Sequence, residues 1–99
     1  MAKLTWTSEA ERWLKDIYDY VAKDNPGAAE NIVNKIYHKA QLLLEQPEIG
    51  YKYEHESEEE IRILLYGHYR ITYVIKQNRE IVILGVFHSA LQIENYLIT

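Results

Sequence analysis

Apolar residues in the last third of the chain fall into three runs, residues 61–66, 69–76 and 81–88, separated by Gly67-His68 and by Gln77-Asn78-Arg79-Glu80. Each run is rich in β-branched and aromatic side chains and each break in turn formers, which predicts a three-strand antiparallel meander with tight hairpins. Strict alternation puts Tyr69, Ile71, Tyr73 and Ile75 on one face of the middle strand, and Arg70, Thr72, Val74 and Lys76 on the other. In the first strand Ile61, Ile63 and Leu65 oppose Arg62, Leu64 and Tyr66. In the last, Val82, Leu84, Val86 and His88 oppose Ile81, Ile83, Gly85 and Phe87.

Before the meander the period changes. Leu4 and Trp6 alternate with Lys3 and Thr5, enough for a short edge strand. Ala10, Trp13, Leu14, Ile17 and Val21 then follow helical spacing and predict a helix over 9–23, with Ser8 as N-cap and Glu11 at the capping-box position. Asp24-Asn25-Pro26-Gly27 interrupts it, and Asn25 as N-cap with Pro26 at the first helical position starts a second helix running to about residue 45. Its stripe is Ala29, Ile32, Val33, Ile36, Ala40, Leu43 and Leu44; Pro47 and Gly50 stop it. A break this short implies an antiparallel helical hairpin with both stripes on one side.

The expected fold is therefore α+β: a short N-terminal strand, a helical hairpin packed on one face of an antiparallel sheet with a C-terminal three-strand meander, and a short helical tail after His88. Residues 51–60, with Glu54, Glu56, Glu58, Glu59 and Glu60, read as a solvated loop. A helical hairpin covers one sheet face only, so the other is expected to be partly open and to carry Arg62 and Arg70.

Composition narrows the picture further. Ninety-nine residues, 47% hydrophobic and 26% charged, fit one globular domain spanning 1–99. There is no cysteine, so neither a disulfide framework nor a thiolate metal site is available. The histidines show no ligand spacing, and neither a metal nor a cofactor is expected. No run approaches the roughly twenty apolar residues of a membrane span, and the N-terminal stretch lacks a signal peptide's apolar segment, so a soluble cytoplasmic protein without membrane association is expected. The net charge of −4 and the glutamates ahead of the meander argue against direct nucleic-acid binding.

The order of these elements resembles the RelE/ParE superfamily of bacterial type II toxins, ParE-like branch. The pieces that carry the resemblance are Asn25-Pro26 with Ala28-Ala29, the stretch from Leu43 to Gly50 with Pro47, Ile61-Arg62 with Leu64, Tyr69-Arg70-Ile71 with Tyr73, Ile81 with Ile83-Leu84 and Val86, and His88 with Ile93-Glu94. The resemblance implies a toxin neutralised by a cognate antitoxin in a hetero-oligomer. Its chemistry is one of two kinds: RelE-like members are ribosome-dependent mRNA endonucleases, whereas ParE-like members act on DNA gyrase and are not known as nucleases.

Metal-free RNA cleavage needs a base for the 2′-hydroxyl, a cation for the phosphorane and an acid for the leaving oxygen. Arg62, Arg70 and His88 are the residues that an endonuclease reading would use, two guanidiniums clamping the phosphate. The departures from RelE-like members weigh against it. His88 is followed by Ser89-Ala90-Leu91 where relatives commonly read His-Gly-x-Arg, and Gly85 stands where many carry Arg. The leading expectation is thus a protein without catalysis of its own, contacting antitoxin or gyrase through Arg62, Arg70, Ile83, Phe87, His88, Leu91 and Tyr96. Against this, Arg70 also suits a glutamate partner, His88 a structural hydrogen bond, and Tyr69, Tyr73, Trp6 and Trp13 the core.

Overall fold

A computed structural model describes residues 3–54 and 58–88. The strands are β1 (Lys3–Trp6), β2 (Tyr51–Lys52), β3 (Glu60–Tyr66), β4 (Tyr69–Ile75) and β5 (Glu80–His88); the helices are α1 (Ser8–Ala22) and α2 (Pro26–Gln41), the latter followed by a 3-10 turn at Leu42–Leu44. The strands form one sheet in the order β1-β5-β4-β3-β2. The meander is antiparallel as the alternation predicts, and β1 joins it parallel to β5, from Lys3 opposite Glu80 to Trp6 opposite Ile83. Among the described residues no helix is long and apolar enough to cross a membrane.

Local chemistry sets the boundaries. The cap of α1 is Thr7 rather than Ser8: its Oγ1 accepts the Ala10 N–H at 3.0 Å and donates to the Ile83 carbonyl at 3.0 Å, fixing the helix start to the sheet. Asn25 Oδ1 accepts the Ala28 N–H at 3.1 Å, with Pro26 behind it, as expected. At the first hairpin Gly67 takes φ 57°, a left-handed conformation that costs glycine little. The second is a three-residue loop closed by Lys76 N–H to the Glu80 carbonyl at 2.8 Å, with Arg79 at φ 68° in the left-handed position such a loop requires. The segment after Gly50 was expected to be only loop, yet Tyr51 and Lys52 pair with Ile63 and Arg62.

The main core lies between the helices and one sheet face. Ala10, Leu14, Ile36, Ala40 and Leu43 meet Leu64, Ile71, Tyr73, Ile81, Ile83 and Val86, and Leu4, Trp6 and Ile17 pack at the margin. Three of the fully buried helical residues, Ala10, Ala29 and Ala40, are alanines, small enough to allow close approach of the backbones. This core contradicts the strict alternation assigned to β5. Thr72 pairs with Gly85 but Tyr73 pairs with Ile83, so Leu84 is a bulge residue and the strand changes phase there. Ile81 and Ile83 consequently share the helix-covered face with Val86 and His88, while Gly85 and Phe87 turn to the other.

That second face is not open in the way the sequence implied. Ile61, Ile63, Thr72, Val74 and Phe87 are all buried. Ile63 and Phe87 form a small cluster against which Trp13 and Tyr53 pack. The Phe87 ring lies directly over Gly85, where a Cβ would stand 2.5 Å from its Cζ atom, so only glycine fits beneath it. Leu65, and Tyr51 opposite Ile63, stay exposed on this face.

Thr72 is fully buried on this face, and its Oγ1 has no hydrogen-bond partner among the described residues. An unsatisfied buried hydroxyl costs about 1–3 kcal/mol, and valine has nearly the same shape. Thr72→Val is therefore expected to stabilise the fold by about 1 kcal/mol, read as a higher urea midpoint with an unchanged denaturant slope. An equal or lower midpoint would mean that the hydroxyl has a partner in solution.

Candidate functional site

Arg62 and Arg70 sit on adjacent strands, but their side chains leave opposite faces of the sheet. Arg62 is opposite Tyr73 on the helix-covered face, and Arg70 is opposite Phe87 and Leu65 on the other. They cannot close on one phosphate. This corrects the expectation of a shared arginine face, and its cause is simple: residues 61, 63 and 65 fill the second face, which sends Arg62 the other way.

Arg62 has a different task. Its Nε donates to Glu60 Oε2 at 2.7 Å, and its Nη1 donates to the carbonyls of Gly50 at 2.8 Å and Glu48 at 3.2 Å. Beside it the Tyr73 hydroxyl donates to the Pro47 carbonyl at 2.6 Å and accepts the Gly50 N–H at 3.0 Å. Together the two side chains pin the turn that leads from the helical hairpin into β2. Gly50 is required there, because a Cβ would stand 2.7 Å from Tyr73 Oη and 2.8 Å from the Ile63 carbonyl oxygen. Burial raises the Tyr73 phenol above its ordinary value, opposed by the Gly50 N–H and the Arg62 charge.

The remaining expected contacts divide. Ile83 has no exposed surface and belongs to the main core, so it cannot serve as a contact; the Leu84 bulge is the reason. Phe87 is 2% exposed and stands edge-to-face with Trp13 at 4.9 Å, so it is a packing group rather than an open contact. His88 is exposed at the end of β5, with its ring 6.0 Å from that of His68 and 5.7 Å from that of Tyr69. It lies on the Arg62 face but four residues farther along the sheet, roughly 13 Å at strand spacing. The three residues of an endonuclease reading are thus not brought together. Leu91 and Tyr96, with the helical tail, lie outside the described residues.

What the structure does assemble is a groove between α1 and the ends of β4 and β5. It measures about 440 Å³ and is lined by Trp13, Asp16, Ile17, Tyr20, Val21, Tyr69, Val86 and His88. Among the described residues expected to make contacts, His88 alone borders it. The α1 contribution went unread because Ile17 and Val21 belong to a helical stripe that looks entirely like core. The available signal was Tyr20, which lies off that stripe and is 69% exposed.

The family model for the ParE toxin of type II toxin-antitoxin systems, parDE, matches residues 4–92. The chain belongs to the ParE toxin family. It is similar to a chain from the chromosomal ParDE toxin-antitoxin system of P. aeruginosa, with 27% identity, a TM-score of 0.74, and coverage of 89% of this chain and 96% of that one. A chain of the RelBE2 toxin-antitoxin complex from Mycobacterium tuberculosis shares the fold at a TM-score of 0.53, with 24% identity over 87% of this chain and 95% of that one. No curated protein sequence matches significantly. The protein is thus the toxin of a type II toxin-antitoxin system, and in this ParE-family toxin the sheet's two arginines do not form one charged centre.

The clamp around Gly50 makes a structural prediction. Arg62→Ala removes hydrogen bonds to two carbonyls and one carboxylate and is expected to cost about 2 kcal/mol in urea unfolding. Because Tyr73 titrates higher in the folded than in the unfolded chain, its share of stability is complete below the unfolded phenol value and is lost as pH rises through the folded one. The stability gap between the native chain and Tyr73→Phe should therefore narrow as pH increases above about 10. A gap independent of pH would contradict this placement of the phenol.

Proposed function

We propose that this ParE-family toxin inhibits DNA gyrase by binding, without chemistry of its own, and that a cognate antitoxin neutralises it by occupying the groove between α1 and the sheet. The observation that carries the reading is the separation of the charged groups. Arg62 is spent on the Glu48 and Gly50 carbonyls, Arg70 leaves the opposite face, and His88 lies on the Arg62 face at the far end of the sheet. Cleavage of RNA at a single phosphate needs acid, base and cation within one site. At the position where many RelE-like relatives carry an arginine, Gly85 is roofed by Phe87, so no cation stands there either.

The groove suits a partner instead. Its walls are aromatic and aliphatic, with polar groups at Asp16, His88 and the Tyr20 and Tyr69 hydroxyls, the composition that receives an amphipathic helix or an extended apolar segment. Similarity to a chain of a ParDE toxin-antitoxin system supports a partner of that kind.

Two assays run in parallel test this. Purified toxin is titrated into a gyrase supercoiling reaction and into a translation extract read by primer extension. Loss of supercoiling with uncut message is the expected result. Ribosome-dependent cuts would overturn it in favour of an endonuclease, and inactivity in both assays, with harmless expression, would leave a toxin fold that only binds antitoxin. Tyr20→Asp, on the exposed border of the groove, should weaken rescue by the antitoxin while the chain stays folded by circular dichroism.

A further inference from the structure

His68 and His88 meet at the hairpin end of the sheet although no local spacing links them. His68 completes the turn between β3 and β4, and the antiparallel register sets its neighbour Tyr69 directly opposite His88. The two imidazole rings consequently stand 6.0 Å apart, centroid to centroid, with their planes 19° from parallel. Both residues are exposed, and the Tyr69 ring packs edge-on against His88 at 5.7 Å.

We propose that His68 and His88 form a two-histidine chelate for a divalent transition ion of the zinc, copper and nickel group. Two imidazoles bonded to one such ion through nitrogen, at about 2.0–2.1 Å each, hold their ring centroids about 5–6 Å apart. The pair already has that separation. Rotation of two exposed rings about their Cβ–Cγ bonds aims one nitrogen of each at the space between them, and the strand ladder holds both backbones in place, so little chain freedom is lost on binding. Imidazole selects these ions over magnesium and calcium, which take oxygen ligands. Local charge does not oppose a cation. Asp16 lines the groove that His88 borders, no lysine or arginine lines it, and Arg70 leaves the other face of the sheet.

Among the described residues, no three or more His, Asp or Glu side chains gather where they could hold a metal. Water therefore fills the remaining positions of the ion, which makes the site exchangeable and sensitive to pH rather than a closed structural centre. A bound ion ties the β3–β4 turn to the end of β5 at the mouth of the groove. Strand register thus supplies the ligand pairing that sequence spacing lacked. The inference is independent of what the toxin acts on and of how its antitoxin binds.

The test titrates zinc chloride, and separately magnesium chloride, into the metal-free full chain at pH about 7.5, read by calorimetry and by the histidine ring signals in NMR. Zinc should shift the His68 and His88 rings together at one ion per chain and raise the melting temperature, and magnesium should do neither. His68→Ala and His88→Ala should each weaken zinc binding by about tenfold or more, His38→Ala should leave it unchanged, and lowering the pH to about 5.5 should release the ion, because a ligating imidazole must be neutral. If His88→Ala disturbs the amide spectrum, His88→Gln replaces it and the same weakening is required. Shifts of one ring alone, unchanged affinity in either folded variant, equal binding of magnesium, or no binding at millimolar zinc would overturn the proposal.

Discussion

Leu84 has no partner in β4, because Ile83 and Gly85 on either side of it pair with the consecutive residues Tyr73 and Thr72. This one inserted residue sets which side chains reach which layer. With it, Ile81, Ile83 and Val86 all face the helices; without it, two of the largest core residues of β5 would point away from α1 and α2. The chain entering α1 is tied to the same place, since both the N–H and the hydroxyl of Thr7 donate to the Ile83 carbonyl. Helix placement and strand phase are thus settled at one carbonyl. The cost of the kink is small beside the burial it permits, because each fully buried isoleucine contributes about 1.5–3 kcal/mol.

The helices were legible because a 3.6-residue period is hard to imitate over four turns, and most of both stripes reaches the core, Val21 at the end of the first lining the groove instead. The hairpins were legible from Gly67 and from Gln77-Asn78, although Arg79 in a left-handed conformation carries no composition signal. The bulge was not. Period-two alternation is the only rule a strand sequence offers for assigning faces, and Ile-Val-Ile-Leu-Gly-Val-Phe satisfies it equally well in either phase, being apolar throughout. One register slip of this kind exchanges core and surface for everything beyond it, which is why Ile83 looked like a contact.

Arg62 was misread for a related reason. An arginine between isoleucines on a half-covered sheet looks directed to solvent, but the sequence gives no sign that the turn after Pro47 returns beneath it and offers two carbonyls. Long-range pairing of this type, fourteen residues apart for Glu48 and Arg62, leaves no local pattern. The short β2 strand escaped notice on the same grounds, since Tyr51 and Lys52 acquire strand geometry only from β3. Glu60, read as part of a solvated run, proves to be the carboxylate that orients Arg62.

The proposed partner surface follows from how the sheet disposes its charge. Charge on this sheet is either consumed in structure, as at Arg62, or kept apart, as at Arg70 and His88, and the site above Gly85 is filled by a phenyl ring. Reactive chemistry demands convergence of groups, whereas recognition needs only complementary area, which the proposed groove beside α1 offers. Trp13 is the pivot: it packs on Phe87 at 4.9 Å, borders the apolar groove on one side and a cleft over Leu84 and Phe87 on the other. A residue in that position cannot change size without altering the second cluster and both hollows beside α1 together. The stability of the sheet's second face and the proposed capacity to hold a partner are therefore coupled through one indole ring.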